Sequence, residues 1–114
     1  MLYLIESFKE DSKVKNNPPL SEEGVVFGKK LKLRNNAIKF DLCYTSYLLS
    51  DFGSALIITG DKLIVNRTHS LDNKNKEEII NFIKSLPNDK KVLIVAKNDV
   101  ISIIKDNFDS MILK

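Results

Sequence analysis

Met1-Leu2-Tyr3-Leu4-Ile5-Glu6-Ser7 opens the chain with an unbroken apolar run that stops at two polar residues. A strand with one face in water alternates apolar and polar side chains. A strand buried on both faces does not alternate, so this run reads as the centre of a parallel sheet covered by helices. Val92-Leu93-Ile94-Val95 is a second run of the same kind and reads as a second core strand. In such sheets ligands sit just beyond the carboxyl ends of the strands, near the point where strand order reverses. The residues that follow Ile5, beginning Glu6-Ser7-Phe8, are therefore where the chemistry of any site is expected.

Between these two runs the sequence alternates strand-like and helix-like segments. Residues 7–19 are a polar loop ending in Pro18-Pro19, which stop any helix and hold the chain extended. Ser21 reads as an N-cap, with Glu22 and Glu23 facing the positive end of a helix over residues 21–34. Gly24 and Gly28 fall on one face of that helix, where helix–sheet packing is expected to bring a backbone close. Phe40 to Thr45 reads as a strand, Tyr47 to Ile58 as a helix, and Leu63-Ile64-Val65 as a short third strand. Asn66 to Asn75 is polar and turn-like. Lys76 to Lys84 is an amphipathic helix, stopped at Leu86 by Pro87. Asp99 to Lys105 reads as the last helix and Ser110 to Leu113 as an edge strand. Together these predict one compact α/β domain over residues 1–114, a three-layer sandwich with a mostly parallel sheet and helices on both faces.

Composition narrows the chemistry. The 114 residues carry a single cysteine, Cys43, which excludes an internal disulfide framework and a multi-thiolate metal site and fits a reducing compartment. It reads as a small buried apolar residue. No signal-peptide pattern opens the chain and no apolar run approaches a membrane span of ~20 residues, so a cytoplasmic location is expected. The net charge of +3 is mild. Its densest basic cluster, Lys29, Lys30, Lys32 and Arg34, suits the last turns of a helix rather than a nucleic-acid patch, because no aromatic residues interleave with it.

Three segments in order resemble the histidine phosphatase (phosphoglycerate mutase-like) superfamily: Leu2-Tyr3-Leu4-Ile5, Pro19-Leu20-Ser21-Glu22-Glu23-Gly24, and Phe40-Asp41-Leu42-Cys43-Tyr44-Thr45-Ser46. Lys91-Val92-Leu93-Ile94-Val95 extends the likeness to roughly residues 1–105. The resemblance implies a phosphoglycerate mutase-like fold and phosphatase or phosphomutase ancestry. It also implies a pocket in which Arg-His-Gly ends the first strand, a second Arg follows the Thr-Ser turn, and Ser-His-Gly follows the last core strand. Matched residue by residue, Glu6, Ser7 and Phe8 stand for the first motif, and Ser50, four residues beyond Ser46, stands for the second Arg. Ala96, Lys97 and Asn98 stand for the third motif. All four Arg and His of the pocket are replaced.

Phosphoryl transfer through a covalent intermediate needs a nucleophile poised by its neighbours, and imidazole serves near neutral pH because it is unprotonated there. A phosphate pocket also needs cations or donors aimed at its oxygens. Glu6 brings a negative charge where the family has Arg. Like charges about 4 Å apart repel by roughly 4 kcal/mol at an effective dielectric of about 20. The expectation is a catalytically inactive relative in which Glu6, Ser7, Phe8, Ser46, Ser50, Lys97 and Asn98 are vestigial pocket positions. Its role would be to bind a small molecule or a protein partner, with no metal, no cofactor and no nucleic acid. An alternative is an enzyme with a substituted mechanism, in which Lys97 and Glu6 meet at adjacent strand ends as base and electrophile beside Ser7. A third reading is assembly, as a homodimer through the strand near the C-terminus, whose unpaired edge needs cover. His69, the one histidine, reads as exposed or capping in a polar cluster, Arg67-Thr68-His69-Ser70, over the pocket.

Overall fold

Five strands, all parallel, form one sheet in the order β3-β2-β4-β1-β5. The computed structural model describes residues 1–60, 62–71 and 75–114. The elements run β1 (Leu2–Glu6), α1 (Glu22–Arg34), β2 (Leu42–Thr45), α2 (Leu49–Thr59), β3 (Val65–Arg67), α3 (Lys76–Lys84), β4 (Val92–Ala96), α4 (Asn98–Asn107) and β5 (Ser110–Ile112). The two unbroken apolar runs are the two central neighbours, β1 and β4, paired from Leu2↔Val92 to Glu6↔Ala96. Every residue of β4 is buried.

Side chains alternate between two cores, one on each face of the sheet. Leu4, Val92, Ile94 and Ala96 point to one face and pack with Ile79 and Ile83 of α3 and Val100, Ile101 and Ile104 of α4. Tyr3, Ile5, Cys43, Leu93 and Val95 point to the other and pack with Leu31 of α1 and Ala55 and Ile58 of α2. This is the expected three-layer α/β sandwich, with a sheet that is parallel throughout. Among the described residues no helix is long and apolar enough to cross a membrane.

Several boundaries differ from the sequence reading, each for a local reason. The strand expected from Phe40 begins at Leu42, where pairing with β4 starts. Asp41 instead accepts the Lys91 N–H at 2.8 Å. The third strand moves from Leu63-Ile64-Val65 to Val65–Arg67, whose register places Val65, Asn66 and Arg67 beside Cys43, Tyr44 and Thr45. Asn66 secures that edge by donating from Nδ2 to the Cys43 carbonyl at 3.2 Å, and Ile64 is left 80% exposed. The polar stretch 66–75 thus supplies part of β3 and a single 3-10 turn, His69–Leu71, that buries Leu71 completely; residues 72–74 of it lie outside the described residues. Helix α2 starts at Leu49 rather than Tyr47, because the Ser46 hydroxyl accepts the Leu48 N–H and Asn17 Oδ1 accepts the Leu49 N–H. Helix α4 starts one residue early and continues to Asn107.

Loop 7–20 is packed onto the sheet's carboxyl end rather than loose. Phe8 is 4% exposed and joins the core beneath α1. An isolated antiparallel bridge joins Glu10 to Leu20, and Ser21, the N-cap of α1, donates through both its N–H and its hydroxyl to the Lys9 carbonyl. Gly24 and Gly28 serve this packing, not helix–sheet contact. A Cβ on Gly24 would stand 2.3 Å from the Lys9 carbonyl oxygen, and one on Gly28 2.4 Å from the Phe8 ring.

Candidate functional site

Strand β1 leaves the sheet toward α1 on one face, and its neighbour β4 leaves toward α4 on the other. The crevice opened between two such strand ends is where open α/β sheets hold ligands. Beyond the last paired residues, Glu6 and Ala96, the Ser7 N–H still donates to the Ala96 carbonyl at 2.9 Å. The ladder therefore extends one step and sets Ser7 beside Lys97. Both follow residues of the α3/α4 face, so alternation turns them toward the α2 side. There the first turn of α2 supplies Ser50 and Asp51, both fully buried.

Lys97 is the hub. Its ammonium donates to Glu10 Oε2 at 2.6 Å, to Ser50 Oγ at 2.6 Å and to Ser7 Oγ at 3.2 Å. Asp51 Oδ1 lies 3.7 Å from the same nitrogen. Ser50 completes a triangle by donating its hydroxyl to Glu10 Oε2 at 2.7 Å. Ser46 donates to Asp51 Oδ2, while Asp51 Oδ1 is buried with no hydrogen bond of ordinary geometry among the described residues. A cleft of about 820 Å³ opens over this cluster, bordered by Glu6, Glu10, Leu48, Lys97 and Asp99 among others.

The two carboxylates titrate in opposite directions. Partial burial tends to raise Glu10, but the hydrogen bonds from Lys97 and Ser50 and the Lys97 charge outweigh it, and the net value lies below the ordinary one. For Asp51 burial wins and the value is raised, against the Ser46 hydrogen bond, the Lys97 charge and the Ser7 hydroxyl, with Glu10 adding repulsion. Glu10, Ser50 and Ser7 thus all contact the Lys97 ammonium.

Of the positions read from the sequence, Ser7, Ser50 and Lys97 converge, and Ser46 joins through Asp51. Glu6 does not. It is exposed on the cleft rim and makes no ion pair among the described residues, because alternation turns it away from Ser7. The expected Lys97–Glu6 pair is replaced by Lys97–Glu10. Phe8 is a core residue under α1, and Asn98 is exposed at the start of α4, accepting from the Ser102 hydroxyl. His69 stacks on Tyr47 with ring centroids 4.1 Å apart, and the Arg67 guanidinium lies 3.5 Å over the Phe52 ring. That polar stretch packs on the aromatic residues of α2 and its approach, rather than on the Lys97 cluster. Glu10 and Asp51 were not singled out by the sequence reading.

No protein-family model matches the sequence, and no curated protein matches it. Solved structures do match. Phosphoglycerate mutase from Bacillus anthracis str. Sterne is similar with a TM-score of 0.80 at 14% identity, over 95% of this chain and 79% of that one. YhfR from Bacillus stearothermophilus gives 0.77 at 17% identity, over 91% of this chain and 77% of that one. The protein histidine phosphatase SixA, complexed with tungstate, gives 0.75 at 13% identity, over 88% and 70%. These superpositions show that the chain has the phosphoglycerate mutase-like fold.

Proposed function

We propose that this chain is a catalytically inactive phosphatase-like domain whose strand-end cleft has a binding or regulatory role. One observation carries the reading. Both ammonium groups that line the strand-end cleft are already paired: Glu10 holds Lys97 at 2.6 Å with Asp51 behind it, and Glu23 holds Lys9 at 2.9 Å. A phosphoryl dianion needs an excess of positive charge and donors aimed outward. Here Lys97 faces two acidic side chains, Glu10 and Asp51, Lys9 is taken by Glu23, and Glu6 stands on the rim. No imidazole stands at either strand end to accept a phosphoryl group.

Thermal unfolding with and without millimolar phosphate, phosphate monoesters and vanadate tests this, together with a hydrolysis assay on an aryl phosphate. A ligand at 100 times its Kd stabilises by about 2.7 kcal/mol, which for a domain of this size raises Tm by on the order of 10 °C. The expected result is neither a shift nor turnover. A clear shift with vanadate or measurable hydrolysis would overturn the reading.

The substituted-mechanism reading retains one supporting contact, the 3.2 Å separation of Ser7 Oγ and Lys97 Nζ, within reach for a serine–lysine pair. Such a pair needs a neutral amine, and here Glu10 Oε2 lies 2.6 Å from the nitrogen, a contact that favours the charged form. An esterase assay on Glu10→Gln against Lys97→Met separates the two readings, since only the enzyme reading expects turnover that depends on Lys97.

A further inference from the structure

Glu10 is not a residue of either strand end. It comes from the returning loop and inserts its carboxylate where two donors converge: Lys97 Nζ at 2.6 Å and Ser50 Oγ at 2.7 Å contact it directly, and Ser7 Oγ accepts from the same ammonium at 3.2 Å. The loop backbone behind it is anchored by the Glu10–Leu20 bridge, by the Phe8 N–H on Ser54 Oγ at 2.9 Å, and by Asn17 on the first turn of α2. The Glu10 side chain is not anchored in that way. It is 37% exposed and faces the open cleft.

Resting on the reading of this cleft as a binding site, we propose that Lys97, Ser50 and Ser7 form a carboxylate-binding site. The Glu10 side chain fills it in the free protein, and a small monocarboxylic acid takes it when Glu10 swings out. Charge selects the ligand class. With Glu10 withdrawn, the Lys97 ammonium faces the cleft with Asp51 Oδ1 3.7 Å behind it, while the other ammonium of the lining, Lys9, is paired with Glu23 Oε2 at 2.9 Å and Glu6 stands at the rim. That balance accepts one negative charge, as Glu10 already shows, and opposes a dianion. A carboxylate also matches the donor count, with an ammonium and a hydroxyl serving one oxygen as they now serve Glu10 Oε2. The cleft, at about 820 Å³, has the size of a small-molecule site. In this arrangement Glu10 competes with the ligand, and its tethered carboxylate sets the threshold concentration for binding.

The test vacates the site. Glu10→Ala and the nearly isosteric Glu10→Gln are prepared with Glu10→Ala/Lys97→Met as the control, and folding is checked by far-UV circular dichroism. Each is melted in sodium acetate, in sodium phosphate, and in sodium chloride at matched ionic strength. Acetate is expected to raise the Tm of Glu10→Ala by several degrees over chloride and that of Glu10→Gln by less. Wild type and the double variant should not respond, and phosphate should stabilise Glu10→Ala less than acetate. Equal responses to acetate and chloride in folded Glu10→Ala would overturn the proposal, as would a larger response to phosphate. Failure of both single variants to fold would overturn it too, because Glu10 would then be a structural strut rather than a displaceable occupant. Aryl phosphate hydrolysis is assayed on the same samples. Turnover there sinks the inactive-domain reading, whereas loss of the acetate response alone sinks only the carboxylate site.

Discussion

Lys97 Nζ and Glu10 Oε2 meet at 2.6 Å across 87 positions of sequence, joining the turn after β4 to the loop after β1. The contact does two things at once. It neutralises the cation at the strand ends, and it fastens loop 7–20 over the first turn of α2. Lys97→Met would leave Glu10 and the buried Asp51 without their cation. Partner loss at a partly buried pair costs about 1–2 kcal/mol, or a fall in Tm of roughly 4–8 °C for this chain length. In Lys97→Met/Glu10→Gln the loss should be smaller than the sum of the single losses, read from urea unfolding of all four proteins.

Glu10 gives that network an acid limit. Its folded pKa lies below its ordinary value, so the native state favours its ionised form. Its contribution is therefore complete above the unfolded value of about 4.3 and is lost as pH falls through the folded value. Unfolding free energy measured from about pH 6 down to about pH 3 should fall less steeply in Glu10→Gln than in wild type. Equal slopes would mean that Lys97 and Glu10 do not interact in solution.

Asp51 has the opposite sign. Burial raises its folded pKa, so the native state favours the protonated acid. Its contribution is complete below the unfolded value of about 3.9 and is lost as pH rises through the folded value. Asp51→Asn keeps a carbonyl oxygen for the Ser46 hydroxyl and removes the buried charge. The variant should lose the fraction of pH dependence that weakens wild type on the neutral side, and the difference curve between the two gives the Asp51 titration directly.

The two glycines of α1 differ in what they face. A methyl group on Gly24 meets the Lys9 carbonyl oxygen at 2.3 Å, backbone held by two hydrogen bonds from Ser21. A methyl group on Gly28 meets side chains rather than backbone, the edge of the buried Phe8 ring at 2.4 Å and Ile57 at 3.2 Å. Both substitutions gain some helix propensity, but overpacking of this kind costs about 1–3 kcal/mol. Gly24→Ala should sit at the upper end of that range and Gly28→Ala at the lower. Gly24→Ala should also loosen Glu10, seen as faster amide exchange in loop 7–20.

What could be read in advance follows burial and spacing. Strands β1 and β4 announced themselves because both faces are covered, and no residue in Leu2–Ile5 or Val92–Val95 had to be polar. Ser7, Ser50 and Lys97 were legible because they hold fixed offsets from strand and turn segments that resemble a known family. Glu10 was not, because its place depends on a loop that doubles back through the Glu10–Leu20 bridge, a non-local pairing with no local pattern. Glu6 was assigned to the site by its match to the first position of the family motif, and the period of two along a strand turns its side chain away from Ser7 to the cleft rim. The shift of β3 by two residues has a similar cause. On an edge strand, partner geometry at Cys43 and the Asn66 side chain outweigh the apolarity of Leu63 and Ile64.

Cys43 offers a clock for the opening of this edge. It lies fully buried in β2, between β3 and β4, and burial pushes its thiol up to about 12. An exposed thiol near 8.5 is a substantial fraction thiolate at about pH 8, so the native thiol should react with an aromatic disulfide reagent roughly three orders of magnitude more slowly on ionisation alone. Steric closure slows it further, and reaction then proceeds through opening. If β2 opens only when the whole sheet does, the labelling rate should rise with urea along the m-value of global unfolding. If the three-residue strand β3 peels away first, the rate should be higher and nearly independent of urea at low concentration. The first outcome is expected, because β3 is tied to β2 by the Asn66 side chain and to α2 by Arg67 on Phe52, and each contact must break before Cys43 is uncovered.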